Sequence, residues 1–185
     1  MADLYRTGKQ YADQAKDKKY EKLTYDNVDC QAFCELVLKD IGVRKSNGTV
    51  YNWKGSNDIA RNACSWIGTK EECIAQFGFI PLGAWAFIWD NTGNEKQRGY
   101  YDGLGNYSHI GIYVGDNVVR DSTRYKDSKG NYVRNGPANR ALSAFLFVPG
   151  IIPYKRPCAQ RNKSELLYTF FLCSNPRTGI SRDIV

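Results

Sequence analysis

The stretch Asn27-Val28-Asp29-Cys30-Gln31-Ala32-Phe33-Cys34-Glu35-Leu36-Val37-Leu38-Lys39-Asp40-Ile41-Gly42 places apolar side chains at Cys30, Phe33, Cys34, Val37, Leu38 and Ile41. That is the i, i+3, i+4, i+7 spacing of a helix with one buried face. Asp29 suits the N-cap, where a carboxylate accepts from the free N–H groups of the first turn. Val28 and Phe33 flank it as a hydrophobic staple. Gly42 ends the helix, because only glycine takes the left-handed conformation at low cost. Cys30 then stands at the first helical position, where the helix dipole favours negative charge and so suits a thiolate. Cysteine is also a common core residue, and Cys30 begins the apolar stripe. Its role is decided by what lies downstream.

The chain has 185 residues, with 42% hydrophobic and 24% charged, the composition of a globular domain with a core of its own. Thirteen tyrosines and four tryptophans make it rich in aromatic rings, which fill cores and also stack on sugars and peptides. A formal charge of +7 suits an anionic partner such as nucleic acid, membrane or bacterial cell wall. No dense Lys/Arg run or nucleic-acid motif accompanies it, so no nucleic-acid partner is expected. No window approaches the length of a membrane span, and the first thirty residues hold no signal-peptide-like segment. The expectation is synthesis in the cytoplasm without a signal peptide, and no membrane partner. The six cysteines, at 30, 34, 64, 73, 158 and 173, fit no zinc spacing, and there is one histidine. No metal is expected. A reducing compartment argues against disulfides among Cys64, Cys73, Cys158 and Cys173.

Along the chain, residues 3–18 read as a surface helix with Leu4, Tyr11, Ala12 and Ala15 on one face. Residues 20–29 form an entry loop carrying Tyr20 and Tyr25. A helix capped by Ser56 or Asn57 runs to about residue 66, and a short one covers 70–76. Residues 83–89 are apolar on both faces, as in a central strand. A long polar loop fills 90–106. Residues 109–114 alternate with period two, 115–117 turn, and 118–122 return as the second arm of a hairpin. Residues 132–134 and 144–148 supply two more strands. Helices first and an antiparallel sheet after them define the α+β class.

His109, the only histidine, opens the 109–114 strand. Imidazole is the usual base for a thiol nucleophile. An imidazole base needs a partner on its other nitrogen, and Asp121 on the returning strand shares the face of His109 if the turn keeps an even register. A slip of one residue would put it on the opposite face. The free N–H of Cys30 would serve as an oxyanion donor.

Asp29-Cys30-Gln31-Ala32-Phe33 resembles the Asp-Cys-Ser-Gly-Phe signature of NlpC-type cell-wall cysteine peptidases. His109-Ile110-Gly111-Ile112-Tyr113-Val114-Gly115 is similar to that family's His-Val-Gly-Ile-Tyr-x-Gly strand. Ile80-Pro81-Leu82-Gly83-Ala84-Trp85-Ala86-Phe87 resembles its Pro-Gly-Asp-Leu-x-Phe strand. The likeness spans roughly residues 20–150. It implies a papain-like α+β domain, N-terminal helices on a central antiparallel sheet, that hydrolyses stem-peptide amides of peptidoglycan through a thioacyl-enzyme without a cofactor. Cys30 would be the nucleophile, His109 the base and Asp121 its orienter, with Tyr25 or Tyr20 binding substrate. Gln31 and Ala32 depart from the family's Ser and Gly, and its Tyr-x-Trp-Gly-Gly approach is missing, which bears on cleavage specificity.

The acidic third residue and long glycine-rich loop look like bacteriophage lysin and tail-protein forms, acting on the wall after release or within a phage particle. A monomer is expected, with a peptidase domain over 1–155 and an extension, 156–185, that docks on it through a strand or short helix at 166–173. Two alternatives stay open: an N-acetylmuramoyl-L-alanine amidase on the same scaffold, as in the related CHAP domains, and a non-catalytic phage structural or wall-binding protein. Stem peptides carry carboxylates, so the groove should hold cations. Arg61, Arg98, Arg120 and Arg124 are the candidates, with Arg124 first and Arg120 last, since Arg120 alternates with Asp121 along its strand.

Overall fold

The structure is a computed structural model that describes residues 2–45, 47–90, 100, 102–145 and 147–150. The expected extension at 156–185, its segment 166–173, Cys158, Cys173, Arg98 and most of the 90–106 loop lie outside the described residues. The elements run α1 (Ala2–Ala15), a 3₁₀ turn (Lys18–Lys22), α2 (Cys30–Asp40), α3 (Ser56–Asp58) continuing as a π turn (Ile59–Ala63), α4 (Lys70–Phe77), β1 (Trp85–Asp90), β2 (Asn106–Gly115), β3 (Val118–Lys126), β4 (Tyr132–Ala141), a 3₁₀ turn (Leu142–Ala144) and β5 (Phe147–Gly150). The strands form one antiparallel sheet in the order β4-β3-β2-β1-β5. The protein is α+β, as the order of its periodic segments implies.

The main core lies between the helices and one face of the sheet. Tyr11, Ala12 and Ala15 of α1 and Phe33, Cys34, Val37 and Leu38 of α2 meet Trp85, Phe87, Ile110 and Ile112 there. One hydrogen-bonded chain ties three elements together: the Trp85 indole N–H donates to the Tyr11 hydroxyl at 3.1 Å, which donates to the Cys34 carbonyl at 2.9 Å. Burial makes such bonds worth more than their surface equivalents. A smaller core of Ala86, Val119, Leu142 and Phe145 covers the other sheet face. Backbones touch where α1 crosses the entry to β1. A Cβ on Gly8 would lie 2.5 Å from the Leu82 carbonyl oxygen, and one on Gly83, whose φ is 79°, would lie 2.5 Å from that of Gly8. Gly83 therefore belongs to a turn, and the strand starts two residues later than the apolar pattern alone implies.

The β2–β3 hairpin turns at Asp116 and Asn117, both at positive φ (51° and 57°), which matches the twist of its two strands. Ile112 lies opposite Arg120 and Tyr113 opposite Val119. The next step sets Gly111 against Asp121, so His109 and Asp121 share a face, the even register. The β2–β3 ladder runs only from Gly115↔Val118 to Ile112↔Arg120. Meanwhile β2 pairs with β1 as far as Asn106↔Asp90, and β3 with β4 as far as Lys126↔Tyr132. The middle of the sheet thus forms a seam beyond Arg120, where β2 and β3 stay close but have no ladder pairing, and each half is held by its outer neighbour.

Other elements also differ from their sequence patterns, and the strand expected over 144–148 is a 3₁₀ turn at Leu142–Ala144 followed by β5 at Phe147–Gly150. The helix expected to reach residue 66 stops at Ala63, changing from α into a π turn. β4 extends well past residue 134, through Asn135-Gly136-Pro137. That tripeptide reads as a turn, but β4 is an edge strand, where a proline can sit without removing a ladder bond.

Candidate active site

α2 begins where expected. Asp29 is extended at the N-cap, and its Oδ1 accepts from the Ala32 N–H at 2.8 Å. Val28 and Phe33 both pack into the main core. The start of this helix meets the seam of the sheet, for the Ser122 hydroxyl on β3 donates to the Val28 carbonyl at 2.5 Å. Cys30 is thereby carried to the seam. Cys34, one turn along, is fully buried, and burial raises its thiol pKa well above the ordinary value. Cys64 and Cys73 are pushed up by burial too, Cys73 to about 12. All four are free thiols.

His109 Nε2 lies 2.6 Å from Asp121 Oδ2, and the Cys30 side chain is close enough to the ring to help raise its pKa. A carboxylate can only accept, so Nε2–H donates to Asp121, and Nδ1 is the ring nitrogen that Asp121 does not engage. Burial by itself would lower the pKa of His109, but hydrogen bonds to Asp121 and Cys30, and their charges, outweigh it and raise the ring to about 9. Asp121 is 0% exposed. Gly111 permits the close passage of the two strands here, because a Cβ would lie 2.8 Å from the Asp121 Cβ and 2.5 Å from a Val119 methyl. The structure therefore brings the three sequence-selected residues, Cys30, His109 and Asp121, into one row.

The substrate-binding expectations separate. Tyr25 is half-buried beside the row, its phenol pKa raised by burial and then by the charges of Cys30 and Asp29. The Arg124 guanidinium lies over the Tyr25 ring, 5.3 Å from its centroid, and pairs with Asp26. Tyr20 has to be corrected. It is 1% exposed, its hydroxyl donates to Asp40 at 2.6 Å, and its ring meets Phe33 edge-on, so it is a core residue out of a substrate's reach. Arg61 is likewise structural: 7% exposed, it holds Asp102 through two nitrogens at 2.7 and 2.9 Å. Arg120 is buried, with Nη1 3.2 Å from Asn139 Oδ1 and Nη2 3.6 Å from Glu21.

Four neighbours have no role that the sequence announces. The Gln31 amide donates to Glu35 Oε1 at 2.8 Å and to the Trp53 carbonyl at 2.5 Å, tying the 51–53 segment to α2. Arg134 Nη2 donates to Asp121 Oδ1 at 2.6 Å, and Arg140 Nη2 lies 3.3 Å from Oδ2. The Phe145 ring lies 6.1 Å from that of His109. Arg134 lies within the expected strand 132–134, whereas Arg140 lies past the turn-like tripeptide; two-residue periodicity carried through Pro137 places both on one face with Ala138, the partner of Asp121.

The chain matches no protein-family model, curated protein or solved structure. The chemistry of the site itself is therefore what speaks for its function. Among the described residues no group of three His, Cys, Asp or Glu is arranged to hold a metal ion, and no helix is long and apolar enough to cross a membrane. A buried carboxylate on one nitrogen of an imidazole, with a thiol near the ring, is the arrangement that a thiol–imidazole acyl-transfer site requires.

Proposed function

We propose that this chain is a cysteine hydrolase of amide bonds, papain-like in the NlpC manner, acting on peptidoglycan stem peptides. The observation that carries the reading is the His109 ring held between Asp121 and Cys30. The Cys30 thiolate attacks the scissile carbonyl carbon, and the oxyanion meets the N–H groups at the start of α2. His109 passes its proton to the leaving amine as the C–N bond breaks, leaving a thioacyl-enzyme. Water, deprotonated by His109, then releases the acid and the thiol. The net charge of +7 suits an acidic wall polymer, and action after release from the cell or within a phage particle fits that substrate. The test is incubation with purified peptidoglycan and mass analysis of what is released. Stem-peptide fragments support an endopeptidase, whole stems freed from the glycan identify an amidase, and binding without release rejects hydrolysis.

Within this reading Tyr25 and Arg124 flank the substrate's path. Arg124 is 39% exposed and spends its charge on Asp26, so a stem carboxylate must displace that partner. Arg124→Ala is expected to raise KM for stem peptides by about 3- to 10-fold, the range for one half-exposed charged hydrogen bond. Asp26→Asn should lower KM by removing the competitor. Amidated stems should show neither change, and equal kinetics on both substrates would reject Arg124 as a carboxylate ligand.

A further inference from the structure

A carboxylate that serves an imidazole must present one oxygen in a fixed direction, and a lone aspartate can rotate about its Cα–Cβ and Cβ–Cγ bonds. Asp121 is restrained on the side away from His109. A single nitrogen of Arg134, Nη2, donates to Asp121 Oδ1 at 2.6 Å, to the Asp121 carbonyl at 3.0 Å and to the Ala138 carbonyl at 2.6 Å. The arginine side chain is 11% exposed, and its Nε has no hydrogen-bond partner. An unsatisfied buried donor costs stability, so the guanidinium is placed for what Nη2 holds rather than for its own full pairing. Arg140 approaches the other oxygen from the same strand at 3.3 Å, with its guanidinium over the Phe145 ring.

We propose that Arg134 is a positioning residue of the site: by gripping Oδ1 and the backbone on both sides of the β3–β4 pair, it aims Oδ2 of Asp121 at His109. The inference rests on the reading of Cys30, His109 and Asp121 as an acyl-transfer set. The groups that face His109 are Cys30 from α2, Asp121 from β3, Arg134 and Arg140 from β4 behind the carboxylate, and the uncharged Phe145 and Ile88.

Two roles for Arg134 predict opposite signs. As a background charge, its removal would ease protonation of His109 and raise the ring's titration midpoint. As a positioning group, its removal frees the carboxylate, weakens the Nε2–Oδ2 bond and lowers the midpoint. His109 is the only histidine, so its ring resonances in an NMR titration need no assignment by mutation, and no substrate is involved.

In Arg134→Gln the midpoint is expected to fall by about 1 pH, the scale for losing part of a charge-assisted hydrogen bond. Arg134→Lys keeps the charge but is shorter and should fall by less; it carries the test alone if Arg134→Gln does not fold. Placed on top of Asp121→Asn, Arg134→Gln should add no further change, since a group acting through Asp121 has nothing left to act on. A midpoint that rises or stays put in the folded variants overturns the proposal while the catalytic reading stands. A wild-type midpoint at or below that of free histidine overturns both.

Discussion

Cys30→Ala is expected to abolish amide cleavage while leaving the fold intact. The side chain stands at the first position of α2, where the Asp29 cap, not the thiol, satisfies the first turn. Loss of a nucleophile that acts as a unit with its base removes on the order of 10⁶-fold in turnover. Cys34→Ala is the contrasting control. Its sulfur is wholly buried and serves packing, so the variant should lose stability by about 1–2 kcal/mol and keep its activity. A complementary measurement is alkylation by iodoacetamide near neutral pH. Among the four described cysteines, Cys30 should react first, because burial raises the pKa of the other three thiols. Full activity in Cys30→Ala would remove the mechanism altogether.

Asp121→Asn is expected to lower turnover on the order of 10²–10⁴-fold, the cost of losing the group that fixes the tautomer and stabilises the cation of a histidine base. It also carries a pH signature whose sign is fixed. His109 titrates at about 9 because the hydrogen bonds and charges of Asp121 and Cys30 outweigh a burial that acts in the opposite direction. The protonated imidazole that serves the leaving amine in the proposed mechanism is lost as pH rises through that value, so the alkaline limb of activity should lie near pH 9. The amide variant lacks one of the two raising partners, and its limb should move toward neutrality. The substitution also leaves Arg134 and Arg140 beside an uncharged amide, and breaking a buried pair costs about 3–5 kcal/mol. Activity should therefore be measured well below the variant's melting point. An unmoved alkaline limb in a folded Asp121→Asn protein would show that the carboxylate is not what holds the His109 proton.

The part of the site that local rules govern was legible in the sequence. The Asp29 cap and the 3.6-residue stripe place Cys30, and strand alternation with a tight turn places His109 and Asp121 on one face. What escaped depends on tertiary context. Tyr20 reads as an exposed loop aromatic, yet it is drawn into the core by Asp40 and Phe33, neither of which announces the contact in sequence. Arg61 reads as a free cation, and its partner Asp102 is distant in the chain. Arg140 was hidden because glycine and proline in an edge strand look the same as in a turn until the strand order is known, and Arg134, though inside an expected strand, was hidden because the pairing of that strand with β3 is not written in its own residues. The papain-like assignment rests on motif likeness and the proposed chemistry, whereas the α+β architecture follows from the strand order and helix packing.

The arrangement of β2 and β3 bears on when Cys30 gains its two neighbours. Cys30 arrives on a helix, His109 on one half of the sheet and Asp121 on the other, and the two halves are joined only near the hairpin tip. His109 and Asp121 come together on the β2–β3 hairpin, whereas Cys30 joins them only when α2 docks on the sheet. A chain still emerging from the ribosome, or one whose halves have sprung apart, carries an ordinary cysteine with no base beside it. In the proposed mechanism, a nucleophile that meets its base only through docking of α2 is inactive wherever that docking is incomplete.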